Sequence, residues 1–413
     1  MLYQEINACR LCSNTDLRDV FNLGEQTLTG VFPSSSSNDV PTGPVTLTKC
    51  NDVTGCGLVQ LKQTYNPDMM YGENYGYRSS LNISMVQHLK TKVEKIEGLG
   101  LLNCGDVILD IGCNDGTTLK LFDKKYTRIG IDPSAEKFLD QYPPDIRVNC
   151  DFFSADAFKK ISLDAKAKVI TSFSMFYDLP DPLGFAKDIA SCLRSDGIWV
   201  FEQSYLPEML KTNSFDTICH EHLEFYSLKQ ILYILERASL KCIDVEFNKV
   251  NGGSFSIVAA HQSSNMYQNV EKINKIEQKE INDGIHTFEI YNTFKKRVDN
   301  LKSETKELIK RLNQDNISVY GIGASTKGNV LLQHYKLDEY IKSIGEVNSE
   351  KFGMFTPGSG IPIIPENEVL KSSDAYFLIL PWHFKEFFLQ SSKFRGKNLI
   401  FPLPDLEIVH LPK

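Results

Sequence analysis

Three groups of residues in this 413-residue chain have the types and spacing to do chemistry. The first is Val107-Ile-Leu-Asp-Ile-Gly-Cys-Asn-Asp-Gly-Thr-Thr-Leu119, which reads as a buried strand, a glycine loop and a helix start. Ligands of an open parallel sheet sit beyond the carboxyl ends of its strands. Gly112 and Gly116 let the backbone approach such a ligand with no Cβ in the way. Asp110 brings a carboxylate into the loop, which suits a cationic amino-acid moiety and repels a pyrophosphate. Asp132, in Gly130-Ile-Asp-Pro133, follows Gly112 by 20 residues and can accept both hydroxyls of a ribose. A dinucleotide fingerprint is the competing reading. The spacing G-x-x-x-G, with Asn114 where a middle glycine would fall, fits it poorly. The stretch therefore predicts an S-adenosylmethionine site built from Asp110, Gly112, Asn114, Gly116, Asp132, Pro133 and Phe173.

The second group is Cys9-Arg-Leu-Cys12 with Cys50 and Cys56 about forty residues on. Four thiolates from two loops can close a tetrahedral structural zinc site. A redox pair shares the C-x-x-C spacing, but two cysteine pairs in a short module with little apolar core favour zinc. The metal would then supply folding energy that the module lacks. The third group, His220-Glu-His222, offers an imidazole near physiological pKa and a carboxylate to orient it. It lacks the H-E-x-x-H spacing of a zinc hydrolase. On the residues alone, a structural His–Glu pair and a catalytic one are equally compatible with it.

These groups need elements to position them. From Val107 onward strand candidates alternate with helical stretches: Val107–Ile111, Arg128–Asp132, Lys168–Phe173, Gly197–Glu202, Cys242–Phe247 and Gly253–Ala260. Such alternation implies a parallel sheet covered on both faces. Residues 266–312 carry apolar side chains three or four apart, which predicts one long amphipathic connecting helix with Gly284 as its weak point. A second strand and glycine loop, Gly321-Ile-Gly-Ala-Ser-Thr-Lys-Gly328, opens another α/β layer, where backbone amides and Lys327 could meet phosphates. The expected order is thus a zinc module (1–70), a class I Rossmann-like methyl-transfer domain (71–265), a helical connector (266–312) and a C-terminal Rossmann-like α/β domain (313–413).

Composition bounds the rest. The balance of 45 basic against 52 acidic residues, net -7, argues against a nucleic-acid footprint. No segment is apolar for long enough to span a bilayer, and the N-terminus has no apolar signal core. A cytoplasmic location, no membrane partner and a monomer or weak homodimer are expected.

Further motifs occur in a distinctive order: Cys56-Gly-Leu-Val-Gln-Leu61, Tyr75-Gly-Tyr-Arg-Ser-Ser80 with Met85 and His88, and Phe201-Glu-Gln-Ser-Tyr-Leu206. Asp216-Thr-Ile-Cys-His-Glu-His222, Asn251-Gly-Gly-Ser254, Tyr320-Gly-Ile-Gly-Ala324 and Pro357-Gly-Ser359 follow. Together with the cysteine opening and the loop at Asp110–Gly116, they resemble the C-methyltransferases that act on nucleotide-linked 4-keto sugars in deoxysugar biosynthesis. The resemblance runs over almost the whole chain. It implies that His222 is the base that removes the C3 proton, that Glu221 is its carboxylate partner, and that the enolate carbon receives the methyl group. It also implies a C-terminal domain that helps hold a nucleotide-diphosphate keto sugar, with Tyr75, Tyr77, Ser254, Lys327 and Lys351 as substrate contacts. The chain departs from the family at Cys219, where other members carry a tyrosine. It departs again at Tyr177, which stands in place of a histidine found in some and completes the implied catalytic set with His222 and Glu221. The alternatives are an O- or N-methyltransferase on a similar sugar, and a zinc-containing binding protein whose methyl-transfer domain is inactive.

Overall fold

The computed structural model describes residues 2–36, 40–66, 70 and 78–412. Five strands lie in the N-terminal region: β1 (Tyr3–Glu5), β2 (Leu17–Thr27), β3 (Thr42–Cys50), β4 (Val59–Leu61) and β5 (Gln63–Tyr65). The central region contributes β6 (Val107–Ile111), β7 (Thr127–Ile131), β8 (Ile146–Asn149), β9 (Ala167–Phe173), β10 (Leu193–Ser204), β11 (Glu224–Phe225), β12 (Leu240–Asn248) and β13 (Ser254–His261). The last six are β14 (Val319–Ile322), β15 (Ile344–Glu346), β16 (Ile363–Pro365), β17 (Tyr376–Ile379), β18 (Asn398–Phe401) and β19 (Glu407–His410).

The central sheet has the order β12-β13-β10-β9-β6-β7-β8. Its strands pair in parallel except for β13, which runs antiparallel to β10 and β12. All five residues of β6 are buried, as a strand covered on both faces requires. The strand order reverses at β6, which lies between β7 and β9, so the crevice beyond its carboxyl end is where a ligand would sit. The C-terminal sheet, β16-β15-β14-β17-β18-β19, repeats this logic with its reversal at β14 and only β19 antiparallel.

The connector differs from its expected form. It is two helices, Val270–Asn282 and Glu289–Gln314, parted at Gly284, whose φ of 72° belongs to the left-handed region open to glycine. The apolar spacing continues across the break, so periodicity alone concealed it.

The N-terminal region also holds more structure than a short module with little apolar core would have. Strands β2, β3 and β4 form an antiparallel sheet whose fourth member is β11, contributed from the central region. Its apolar face is not thin. Phe21, Val45, Leu47 and Leu61 join one core with Phe294 and Val298 of the long helix and Leu331 and Phe377 of the C-terminal layer. The rings of Phe21 and Phe294 lie 5.1 Å apart. The module therefore buries its hydrophobic side against the C-terminal layer rather than in a core of its own. No helix among the described residues is long and apolar enough to cross a membrane.

Candidate active site

The glycine loop after β6 is held in a conformation that favours glycine. Gly112 and Gly116 have φ of 74° and 75°, and Asn114 between them also lies at positive φ, 47°. A Cβ on Gly116 would fall 2.5 Å from the ring of Tyr142. Asp132 directly follows β7 and clasps the loop, accepting from the backbone of Asn114 at 2.8 Å and of Ser134 at 2.6 Å. Pro133 begins the short helical turn that follows. Asp110 accepts from Thr171 Oγ1 at 2.6 Å, which ties β6 to β9, and Phe173 closes β9 half-buried. Burial pushes the Asp110 carboxyl up to about 7, with Thr171 opposing and the charge of Asp132 adding to the rise. The segment Ser79–Leu81, which precedes β6 in the chain, is fastened to the same loop: Ser79 N donates to Asn114 Oδ1 and Ser80 N to Asp115 Oδ2. Tyr75 and Tyr77 lie outside the described residues.

A second buried charge cluster borders this crevice. Glu202, near the end of β10, accepts from Lys92 at 2.7 Å and Asn248 at 2.8 Å, and pairs with His88 Nε2 at 2.6 Å. Burial opposes its ionisation, but His88 and Lys92 hold its pKa below the ordinary value. The sequence reading gave these residues no role. The available signal was a histidine and a lysine one turn apart on the helix Ile83–Gly98, whose start Asn82 caps.

The His-Glu-His loop is gripped from three directions. Leu223 N donates to Tyr177 O at 2.8 Å, and Leu61 N of β4 donates to Leu223 O at 2.8 Å. His220 Nε2 bonds Gln26 O of β2 at 3.1 Å, so this histidine is a structural anchor rather than a site residue. His222 Nδ1 donates to Thr217 O at 2.6 Å, and its ring meets that of Tyr177 edge-on at 4.4 Å. With Nδ1 carrying the hydrogen, Nε2 presents a lone pair, the state a general base needs. The imidazole is thus oriented by a backbone carbonyl, while the hydrogen bond to Glu221 comes from Cys219 Sγ at 3.9 Å. Glu221 lies where three layers meet: a Cβ on Gly30 would fall 2.7 Å from its Oε1, with Thr326 Oγ1 beside the same point. Burial lowers His222 to about 4 and raises Glu221 to about 7.

Lys327 reaches this cluster from the C-terminal layer. Its Nζ donates to Asn251 O at 2.7 Å, and burial lowers its pKa against the pull of Asp216. Asp216 in turn accepts from Trp382 Nε1 at 2.8 Å. Ser254 is buried and closes its own turn on Val250 O at 2.9 Å. Lys351 lies apart from them. It donates to Ala324 O at 2.7 Å and sits 4.3 Å over the ring of Phe32. In the same layer Glu346, at the end of β15, accepts from the amides of Ala324, Val347 and Asn348, a constraint the sequence reading did not foresee. The amide of Ala324 in this second glycine loop is therefore already satisfied from within.

Cys9, Cys12, Cys50 and Cys56 converge, with all four Sγ atoms within 4.8 Å of one another. Cys9 to Cys56 and Cys12 to Cys50 are both 3.6 Å. Zn–S bonds of ~2.3 Å in a tetrahedron put sulfurs roughly 3.8 Å apart, so the four donors fit zinc. Hydrogen bonding to Cys50, with burial, pushes the Cys9 thiol up to about 12, whereas Cys50 is held down by the thiols that donate to it. Four crowded thiols cannot all ionise without a cation to replace their protons. The remaining six cysteines are free thiols scattered outside this site.

Family models tile the chain: "C-methyltransferase C-terminal domain" over residues 249–404, "Methyltransferase domain" over 87–245 and "Putative zinc binding domain" over 9–71. The C-methyltransferase NovU of Streptomyces niveus is 27% identical, over 99% of this chain and 98% of that protein. Taken together, the three models and this relative support a C-methyltransferase family for the chain. Solved structures similar to part of the chain include an S-adenosylmethionine-dependent methyltransferase from Clostridium acetobutylicum, 14% identical over 42% of this chain and 90% of that one at a TM-score of 0.32. Another is the magnesium protoporphyrin IX methyltransferase of Synechocystis, 15% identical over 47% of this chain and 91% of that one at a TM-score of 0.34.

Proposed function

We propose that this C-methyltransferase uses S-adenosylmethionine to methylate C3 of a nucleotide-linked 4-keto-deoxysugar through an enolate. The observation that carries the reading is the His222 tautomer. An imidazole whose Nδ1 is tied to Thr217 O keeps Nε2 free to take a proton from carbon. A C–H bond beside a ketone needs such a base, because carbon becomes nucleophilic only once the enolate forms. Tyr177, edge-on to the imidazole, limits its rotation. Glu221, beside the base, favours the imidazolium that results.

Asp110, Gly112, Asn114, Gly116, Asp132, Pro133 and Phe173 would hold the cofactor, which supplies an electrophilic methyl group when bound. Lys327, set among Asn251, Asp216 and the His222 loop, would meet the sugar or its diphosphate. Ser254 holds the Asn251–Gly253 turn, and Lys351 shapes the neighbouring loop. Residues 71–265 would carry the cofactor and 313–413 the nucleotide end of the substrate. The test is incubation with S-adenosylmethionine and a panel of nucleotide 4-keto sugars. A product with a carbon-bound methyl at C3 is expected, and an O- or N-methyl product overturns the reading.

Two further outcomes follow. Asp132→Ala removes the acceptor that shapes the Asn114 loop and could take the ribose hydroxyls. Calorimetry with S-adenosylhomocysteine should show binding weakened about 10- to 100-fold, the scale of a lost hydrogen bond to a charged group. Because burial raises Glu221 to about 7, its carboxylate forms only as pH climbs through that value. His222, lowered to about 4, is already neutral across the same window. We therefore expect kcat/KM to rise with pH through about 7, and Glu221→Gln to flatten that limb.

A further inference from the structure

Cys219 stands two residues before Glu221 and three before His222, and the structure turns all three side chains toward one point. Their ligand atoms all lie within 4.8 Å of one another, and Cys219 Sγ is 3.9 Å from Glu221 Oε2. We propose that Cys219, Glu221 and His222 form a second metal site, distinct from the four-cysteine cluster, which takes a thiophilic divalent cation such as zinc.

The donor set is one sulfur, one imidazole and one carboxylate, the three-ligand pattern that leaves a fourth position open. A sulfur donor favours zinc, cadmium or cobalt over magnesium or calcium. Histidines that bind metals through one nitrogen commonly donate from the other to a carbonyl or carboxylate, which fixes the ring. His222 is already arranged so, with Nδ1 bonded to Thr217 O at 2.6 Å and Nε2 available. Closing the three donors onto a zinc ion, with bonds of ~2.0–2.3 Å, requires inward shifts of roughly 1 Å.

The surrounding charge also suits a cation. Asp178 and Glu221 place carboxyl groups close to Cys219. Asp216 adds a further buried carboxyl, which offsets the charge of Lys327 where that lysine faces the cluster. On binding, the Cys219 proton passes to solvent and its sulfur, His222 Nε2 and a Glu221 oxygen each form a bond to the ion. No electron is transferred. If the catalytic reading of His222 holds, the bound ion occupies the base and stops methyl transfer. Metal binding itself does not depend on that reading.

The test uses the full chain with its four-cysteine site filled. After equilibration with excess zinc and removal of loose metal, the wild type should hold about two zinc ions per chain and Cys219→Ser about one. The ion retained by the variant reports that its N-terminal module is folded. Cobalt added to zinc-loaded protein should give a near-ultraviolet thiolate-to-cobalt band in the wild type that is lost in both Cys219→Ser and Cys219→Ala. A wild type that holds only one ion, or a second ion that persists in both variants, overturns the site. Because metal content is read without substrate, this result is independent of whether the sugar reading stands. Methyl transfer undiminished while the second ion is bound would overturn the inhibitory consequence.

Discussion

Replacing His222 with glutamine is expected to slow methyl transfer by about 100- to 10,000-fold, the range for loss of a positioned general base. Glutamine keeps a polar side chain of similar length and can still donate toward Thr217 O, the bond that His222 makes at 2.6 Å. It has no nitrogen lone pair able to take a proton at neutral pH. The fold should survive, because the loop is anchored by the bonds of its neighbours: His220 to Gln26, Leu223 to Tyr177 and Leu61 to Leu223. Melting temperature and S-adenosylhomocysteine affinity should therefore stay close to wild type while kcat falls. A parallel loss of stability would instead mark His222 as structural. His220→Gln should show the reverse, with stability reduced, since its ring is buried against Tyr65 and bonded to β2.

Stripping zinc is expected to abolish the same activity from a distance. Arg10 lies inside the Cys9–Cys12 knuckle, and its guanidinium donates to Leu61 O at 2.6 Å and pairs with Glu224 at 3.8 Å. Residues 59 and 60, just after Cys56, pair with 225 and 224, just after His222. Gln230 reaches back to Cys56 O at 2.9 Å. The knuckle therefore sets the position of the strand that follows the His222 loop. Chelation, or Cys9→Ser, should destabilise the protein by on the order of 4 kcal/mol, as losing a structural metal does. It should also lower methyl transfer more than S-adenosylhomocysteine binding, whose loop lies on the central sheet. Activity that persists in fully zinc-free protein would show that the module does not position His222.

The sequence exposed some of this and hid the rest for identifiable reasons. Strand β6 is an unbroken apolar run, and its predicted limits match those observed because both faces are covered. Strand β8 went unforeseen because it is an edge strand with only Ile146 buried, and β16 and β19 are likewise short edges. Strand β11 is two residues long and gains its identity from β4, far away in sequence, so no local pattern could announce it. The four cysteines were legible because metal ligands leave a spacing signature. The convergence of Gly30, Glu221 and Thr326 was not, since it joins three regions by tertiary packing alone. Lys327 could be suspected only as a phosphate ligand. Its place beside Asp216 and the His222 loop became visible once the C-terminal layer was seen against the central one.

The most direct test of the central claim is hydrogen exchange at carbon. A nucleotide 4-keto sugar incubated with the enzyme and S-adenosylhomocysteine in deuterium oxide should acquire deuterium at C3, read by proton NMR, faster than the uncatalysed control. His222→Gln should bring that rate down to the control. Methyl transfer to C3 with no enzyme-dependent exchange in the wild type, or exchange unchanged in His222→Gln, would contradict His222 as the base that forms the enolate.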